Sequence, residues 1–509
     1  LVIFKRVRKA IAEEVKPPVE PSMSVIDFYP VKEPYTYIAI YLDPNVQSLE
    51  YRVIEPMLTK VEKEVLEELK EYLLEEIEVD PAMLREYGKA EEYLKHAIRD
   101  VAKRYRLKVS SESSLDKISY YIIRDFLGYG PLDGIIRDPN VEDITCDGVN
   151  IPIYVYHRLY EWLATNVQFK SEDELLKFAR KLAYRANQSL TSARPIVEGP
   201  LPEGYRVHLT LREVSRRGPT FTIRKYAAVP FTPVDLINLK TIDARIAAYL
   251  WMLIDAFGSM LIIGKMASGK TSLLNAVSMF IRPESKIVTV EETPELRLPH
   301  ENWTPLVARP SFEREIKEIT LFDLLKSALR QRPDYIIVGE IRGEEAYTFF
   351  QALAVGHGGL STFHGESVEA SIARLEAPPI NIPRTLIPLL KCFVHIDRVK
   401  VEEGIVRRVL SIVEVAGLER GTKEITLHTV FKWNQLKDTF EFTGKSHVLE
   451  WISKATLTPL QDVHDEFNRR TEIMEVLAET KISRFERVSQ IIREYYRNPE
   501  GTYAKIVGR

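Results

Sequence analysis

The stretch Gly264-Lys-Met-Ala-Ser-Gly269-Lys270-Thr271 fits the pattern Gly-x-x-x-x-Gly-Lys-[Ser/Thr]. Residues of these types at this spacing are suited to holding phosphate. The glycines let the backbone wrap closely, so that successive N–H groups, including those of Ala267 and Ser268, point inward at an anion. A helix opening at Lys270 adds the partial positive charge of its N-terminus, where Ser272 also sits. Lys270 supplies a point cation for β- and γ-phosphates, and the Thr271 hydroxyl can bind Mg2+. The apolar run Met260-Leu-Ile-Ile before Gly264 reads as a short buried strand, and Lys270 to Ile281 reads as a helix.

Phosphate chemistry needs carboxylates nearby, and two other apolar runs end in them. Ile337-Val-Gly339-Glu340 closes one predicted strand with Glu340 at its C-terminal end, where ligands bind in parallel sheets. The usual aspartate position of such a strand reads Gly339, which leaves Glu340 to act on Mg2+ through water. Val290-Glu291-Glu292-Thr-Pro-Glu295 closes another strand, and one of its three carboxylates could orient or deprotonate an attacking water. A solvated acidic turn is the plainer alternative. His357 and His364 flank a fourth apolar run, where each imidazole is either a phosphate or subunit contact or a structural group. As a zinc pair they lack a third and fourth ligand at suitable spacing. Upstream, Arg206, Arg212, Arg216, Arg217 and Arg224 cluster among short strands, with Arg206 and Arg212 on one face by parity. They read as anion contacts, toward a neighbouring subunit's nucleotide or toward nucleic acid, or as a salt-bridged surface.

These residues need elements to position them. The 509 residues suggest two to four domains, and 45% apolar with 28% charged content is an ordinary globular balance. The 70 basic against 73 acidic residues give a net charge of −3, which is no global nucleic-acid footprint. Cys146 and Cys392, the two cysteines, fit a reducing compartment and no disulfide framework. Residues 1–105 read as an N-terminal helical or adaptor domain, Pro-rich at first, with a strand at Tyr35 to Leu42 and helices over 57–78 and 81–105. Residues 106–226 read as a second α+β domain with a helical lead-in, and 227–236 as a Pro-containing linker. From 237 to 509 strands and helices alternate, which predicts a mostly parallel sheet covered on both faces. The apolar run 246–264, long enough to suggest a membrane span, contains Asp255, Gly258 and Ser259 and reads instead as a buried helix and core strand. The tail beyond 400 carries strands and two polar helices without a chemical signature.

The order of these motifs resembles the secretion ATPases of the type II/type IV superfamily. It runs from the phosphate loop (Walker A) through Ile287-Val-Thr-Val-Glu-Glu-Thr-Pro-Glu295 (Asp box) and Ala328-Leu-Arg-Gln-Arg-Pro-Asp-Tyr-Ile-Ile-Val-Gly-Glu-Ile-Arg342 (Walker B) to Gly356-His through Ser361-Thr-Phe-His364 (His box). Pro299-His-Glu-Asn-Trp303 and the lack of a tetracysteine insertion make it most similar to the archaeal GspE-like and FlaI-like branch. A glycine before the Walker B glutamate is usual there. The resemblance implies a C-terminal RecA-like P-loop ATPase domain of α/β class, preceded by a helical region and a small α+β, PAS-like domain. It implies Glu295 as the catalytic Asp-box glutamate with Glu291 supporting it, Glu340 as the Walker B glutamate and Mg2+ ligand with Thr271, and His357 and His364 as the His box. Arg206, Arg217 and Arg224 fall where the second domain contacts nucleotide, often in the neighbouring subunit. Gly264, Ala267, Ser268, Gly269, Lys270, Thr271 and Ser272 would bind ATP. Lys265-Met266 departs from the family's usual Thr-Gly or Glu-Thr, at positions whose side chains need not touch phosphate. The implied setting is a hexameric ring at the cytoplasmic face of the membrane. There it would work on an inner-membrane platform protein and, indirectly, on pilin-like or archaellin-like subunits, with no nucleic acid. A conjugative nucleic-acid translocase and a nucleotide-binding scaffold are the competing readings.

Overall fold

The computed structural model describes residues 23–44, 47–76, 87–225, 230–309, 318–401, 404–419 and 421–508. The chain divides into two compact units, Leu1–Ala227 and Ala228–Arg509. The expected Pro-rich arm before residue 23 and most of the first half of the expected linker lie outside the described residues.

The first unit is built on a nine-stranded sheet. Its strands are β1 (Ser24–Lys32), β2 (Thr36–Asp43), β3 (Ser48–Ile54), β4 (Val141–Cys146), β5 (Pro152–His157), β6 (Glu161–Gln168), β7 (Ile196–Pro200), β8 (Arg206–Thr210) and β9 (Thr220–Arg224). Their order is β1-β2-β3-β6-β5-β4-β9-β8-β7. Every pairing is antiparallel except β3 with β6, where Glu50 faces Ala164. That pairing corrects the expected boundary near 105: strands from both proposed segments share one sheet, because β3 completes its hydrogen bonding on β6. Alternation along the strands sends Ile144, Val155, Val207 and Ile223 into the core, where they meet the helix Glu172–Arg185 through Phe178 and Leu182. Ser171 caps that helix by accepting from Glu174 N. The helices Lys60–Glu76, Tyr87–Arg104 and Glu112–Phe126 make a separate cluster around Leu69, Leu73, Ile98 and Ile122.

The second unit carries β10 (Met260–Gly264), β11 (Ile287–Glu291), β12 (Trp303–Val307), β13 (Tyr335–Ile341), β14 (Gly358–His364), β15 (Cys392–Val401), β16 (Gly404–Leu418), β17 (Ile425–Asn434) and β18 (Thr439–Phe442). The sheet order is β12-β11-β13-β14-β10-β15-β16-β17-β18. β10 to β15 run parallel, and β15 to β18 are antiparallel. The interiors of the parallel strands are largely apolar because both faces are covered. Leu261, Ile263, Val288 and Ile336 face one cluster, and Met260, Ile262, Ile287 and Ile337 face the other. The helix Ala244–Asp255 is buried along nearly its whole length, which explains the long apolar run before β10. Asp255 within that run is paired, to Arg470 at 2.6 Å and Arg282 at 2.7 Å. Among the described residues no helix is long and apolar enough to cross a membrane. The second half of the expected linker is ordered: Thr232 and Asp235 form a capping box, with Pro233 in the first turn of the helix Pro233–Asn238.

Candidate functional site

The parallel strands all end at the same edge, and the chemistry collects there. β10 ends at Gly264, level with His364 of β14, and the loop then curls with Ala267 and Gly269 at positive φ (58° and 95°) before the helix Lys270–Ser278. Gly264 is required by a close approach, since a Cβ there would collide with the Ile396 carbonyl and lie 2.6 Å from Ser268 Oγ. Ser268 Oγ is buried beneath the loop without a hydrogen-bond partner. The Lys270 ammonium donates to the carbonyls of Gly264 at 3.1 Å and Lys265 at 2.7 Å. Burial lowers its pKa, while Glu340, Asp397 and Glu295 act in the opposite direction. A curled loop opening a helix, a lysine held over it and an unpartnered hydroxyl beneath it fit a nucleotide's phosphates, with Thr271 placed in the first turn for Mg2+.

The carboxylates take distinct posts. Glu291 ends β11 and is buried. Its Oε1 accepts from the N–H groups of Glu295 and Leu296, each at 3.0 Å, while Oε2 has no partner. Burial pushes its pKa up to about 7, against the pull of those two donors. Glu291 therefore staples the turn that presents Glu295. Gly339 follows from the same packing, because a Cβ there would stand 3.2 Å from Glu291 Cγ. Glu340, one residue on, accepts from Arg342 at 2.5 Å, and Arg342 lies 3.5 Å from Glu292. Arg342 is positioned in turn by the next helix: Glu345 Oε1 accepts from the backbone N–H groups of Arg342 at 2.6 Å and Gly343 at 2.7 Å.

The histidines separate. His364 ends β14 beside the phosphate loop, exposed, its carbonyl accepting from Arg374 at 3.0 Å. His357 precedes β14 and sits at the opposite edge of the sheet, roughly 20 Å away at the rise of a strand. Its backbone N–H instead donates to Ala352 O at 3.2 Å, closing the helix Glu345–Ala354. Among the described residues no cluster of potential ligands could hold a metal by protein side chains alone.

In the first unit, Arg206 and Arg224 face each other across β8 and β9. Arg206 pairs with Glu198, and Arg224 with Asp143 at 3.1 Å. Arg217 is exposed on the β8–β9 connection. The expected shared face of Arg206 and Arg212 does not form, because β8 ends at Thr210 and Arg212 turns to Glu172 at 2.9 Å.

Three residues near the phosphate loop went unassigned from sequence. Arg342 lay inside a quoted motif without a role. Asp397 and Arg407 lie on β15 and β16, in a region without a motif, and reach the loop only through the sheet.

A family described as Type II/IV secretion system protein matches residues 130–387. The chain is 37% identical over 493 residues to an uncharacterized protein of Methanocaldococcus jannaschii, MJ0900, covering 92% of this chain and 88% of that one. A second M. jannaschii protein, MJ1287, is 46% identical over 263 residues, 52% of this chain and 97% of that one. Type IV secretion system protein PtlH of Bordetella pertussis is 30% identical over 273 residues, 47% of this chain and 80% of its own. With half its length under one family description and a relative aligned along almost all of it, this chain belongs to the type II/IV secretion system protein family.

Proposed function

We propose that the protein is an ATP-hydrolysing motor that drives secretion or the assembly of pilin-like or archaellin-like filaments, as a homohexamer at the cytoplasmic face of the membrane. The observation that carries this reading is the convergence of Glu295, Glu340 and the Lys270 loop at one edge of the sheet, all within electrostatic reach of the lysine. Lys270 and the loop amides bind the phosphates. Thr271 and Glu340 would hold Mg2+, which would offset phosphate charge when bound. Glu295, fixed by Glu291, orients the attacking water and takes its proton. Arg342 bridges Glu340 and Glu292 at the strand ends. His364 stands at the rim, where it can meet the γ-phosphate. Arg206, Arg217 and Arg224 supply cations to a neighbouring subunit's nucleotide, with Arg206 and Arg224 exchanging Glu198 and Asp143 for phosphate. The PtlH similarity supports a place in a secretion machine.

The test is steady-state ATP hydrolysis and Mg·ADP binding for wild type, Glu295→Gln and Lys270→Ala. Glu295→Gln should lose about 100-fold or more in kcat while still binding ADP, the size expected for losing a general base. Lys270→Ala should lose binding. Wild type that binds ADP and never turns over ATP, alone or in assembled rings, would return the chain to the scaffold reading.

A further inference from the structure

The mechanism above leaves one side of the phosphate loop unexplained. The β15–β16 hairpin, in the C-terminal extension, packs along the loop's outer side. Ile396 blocks any side chain at Gly264, and Ile396 Cδ1 would stand 3.7 Å from a Cβ at Gly269. Asp397 Oδ2 lies 3.8 Å from Lys265 Nζ, so the lysine that departs from the usual loop sequence has a partner on this hairpin. Arg407 crosses directly over Gly269: its Cδ would be 3.1 Å and its Nε 3.7 Å from a Cβ at that position. Its Nε points at the Ala267 carbonyl, 3.4 Å away.

The geometry of the peptide unit gives that contact a consequence. In a planar trans peptide the C=O and the following N–H point in opposite directions. A cation that draws the Ala267 carbonyl outward therefore turns the Ser268 N–H inward, toward the phosphates. Ala267 also holds a left-handed φ of 58°, a conformation uncommon for a residue with a Cβ. Arg407 is in hydrogen-bond contact with the carbonyl of that residue. We propose that Arg407 is a positioning residue of the nucleotide site, supplied by the same chain's C-terminal extension, which fixes the Ala267–Ser268 peptide with its N–H aimed at bound phosphate. Gly269 then serves twice: its φ of 95° suits glycine, and its missing side chain is the passage for the arginine. This inference rests on the loop being an ATP site.

The experiment measures Mg·ADP affinity by calorimetry and KM and kcat for ATP in the full chain. Arg407→Ala should raise both the ADP Kd and the ATP KM about tenfold, the loss of one charge-assisted contact, with kcat within about twofold. Arg407→Lys should recover most of the affinity, because it keeps a cation in reach of the carbonyl. Arg398→Ala, opposite Arg407 in the β15–β16 register, should behave as wild type. Should Arg407→Ala not fold, Arg407→Gln, which keeps the length without the charge, reads the same split. Unchanged Kd and KM, or a lower kcat at unchanged KM, would overturn the proposal while leaving the ATPase reading intact. A wild-type chain that binds no ADP would overturn both together.

Discussion

Glu291 holds the turn that presents Glu295 as a buried carboxylate accepting two backbone N–H groups. Its carboxylate titrates near 4.5 in an unfolded chain and near 7 in the fold, raised by burial. The folded state thus holds this proton more tightly. The stability Glu291 contributes is complete below pH 4.5 and is lost as pH rises through about 7. Ionising the group in place costs up to about 3 kcal/mol. Chemical denaturation at pH 5 and pH 8 should show wild type losing more stability over that interval than Glu291→Gln, whose amide oxygen keeps the two backbone bonds. Parallel losses in both proteins would mean the side chain is not protonated in the fold. Arg342 makes the complementary point: bonding to Glu340 first, with Glu292 adding to it, raises its pKa against burial, so it stays charged at the strand ends.

At the scale of elements, adjacent strands are matched in detail. β11 brings Glu291 and β13 brings Gly339 to the same level, and a Cβ at position 339 would crowd Glu291 Cγ at 3.2 Å. Gly339→Ala should push Glu291 off the turn, costing about 1–2 kcal/mol of stability and lowering kcat about tenfold with ADP affinity unchanged; an unaltered kcat would show that the Glu295 turn is held otherwise. The helix Ala244–Asp255 is anchored at its end by ion pairing rather than by its apolar surface. Arg470 is buried against Trp251, 4.9 Å from the ring, and Asp255 and Glu466 are its acidic partners. Asp255→Ala leaves that guanidinium half-compensated, and urea denaturation should show a loss of about 3 kcal/mol. A loss under 1 kcal/mol would mean that Glu466 alone suffices. Glu414 plays a similar part from β16, accepting from Tyr249 Oη at 2.9 Å and from the N–H groups of His447 and Val448 at the start of the helix His447–Thr456.

For the whole molecule, the two units each enclose their own core, and each carries part of the proposed machinery. The first holds Arg206, Arg217 and Arg224, and the second holds the phosphate loop and the carboxylates. If arginines act on a neighbour's nucleotide, hydrolysis per subunit must depend on assembly. The rate per subunit should rise steeply with protein concentration and level off as rings form, as followed by ATPase assay and light scattering together. A net charge of −3 gives no general attraction to polyanions, so neither single-stranded nor double-stranded DNA should stimulate the rate. Strong DNA stimulation would favour the translocase reading. A rate per subunit independent of concentration would remove the intersubunit role of the arginines.

The sequence by itself determined the local grammar of the site. The strand–loop–helix at 260–281 and the carboxylates at strand ends were legible because each depends on neighbours within a few residues. It also disclosed that the run 246–264 belongs in a core, since a carboxylate and a glycine interrupt it. What only the tertiary structure decided depends on residues far apart in the chain. The parity argument for Arg212 failed because strand length is set by pairing partners, and β8 stops at Thr210. His357 and His364 look alike in sequence, yet a parallel strand between them sets them on opposite edges of the sheet. The boundary near residue 105 dissolved when β3 found β6. Glu291 became a staple, and Arg407 reached the phosphate loop, only through packing between strands. Such contacts leave no periodic mark in sequence, because the spacing that creates them is across the sheet and not along the chain.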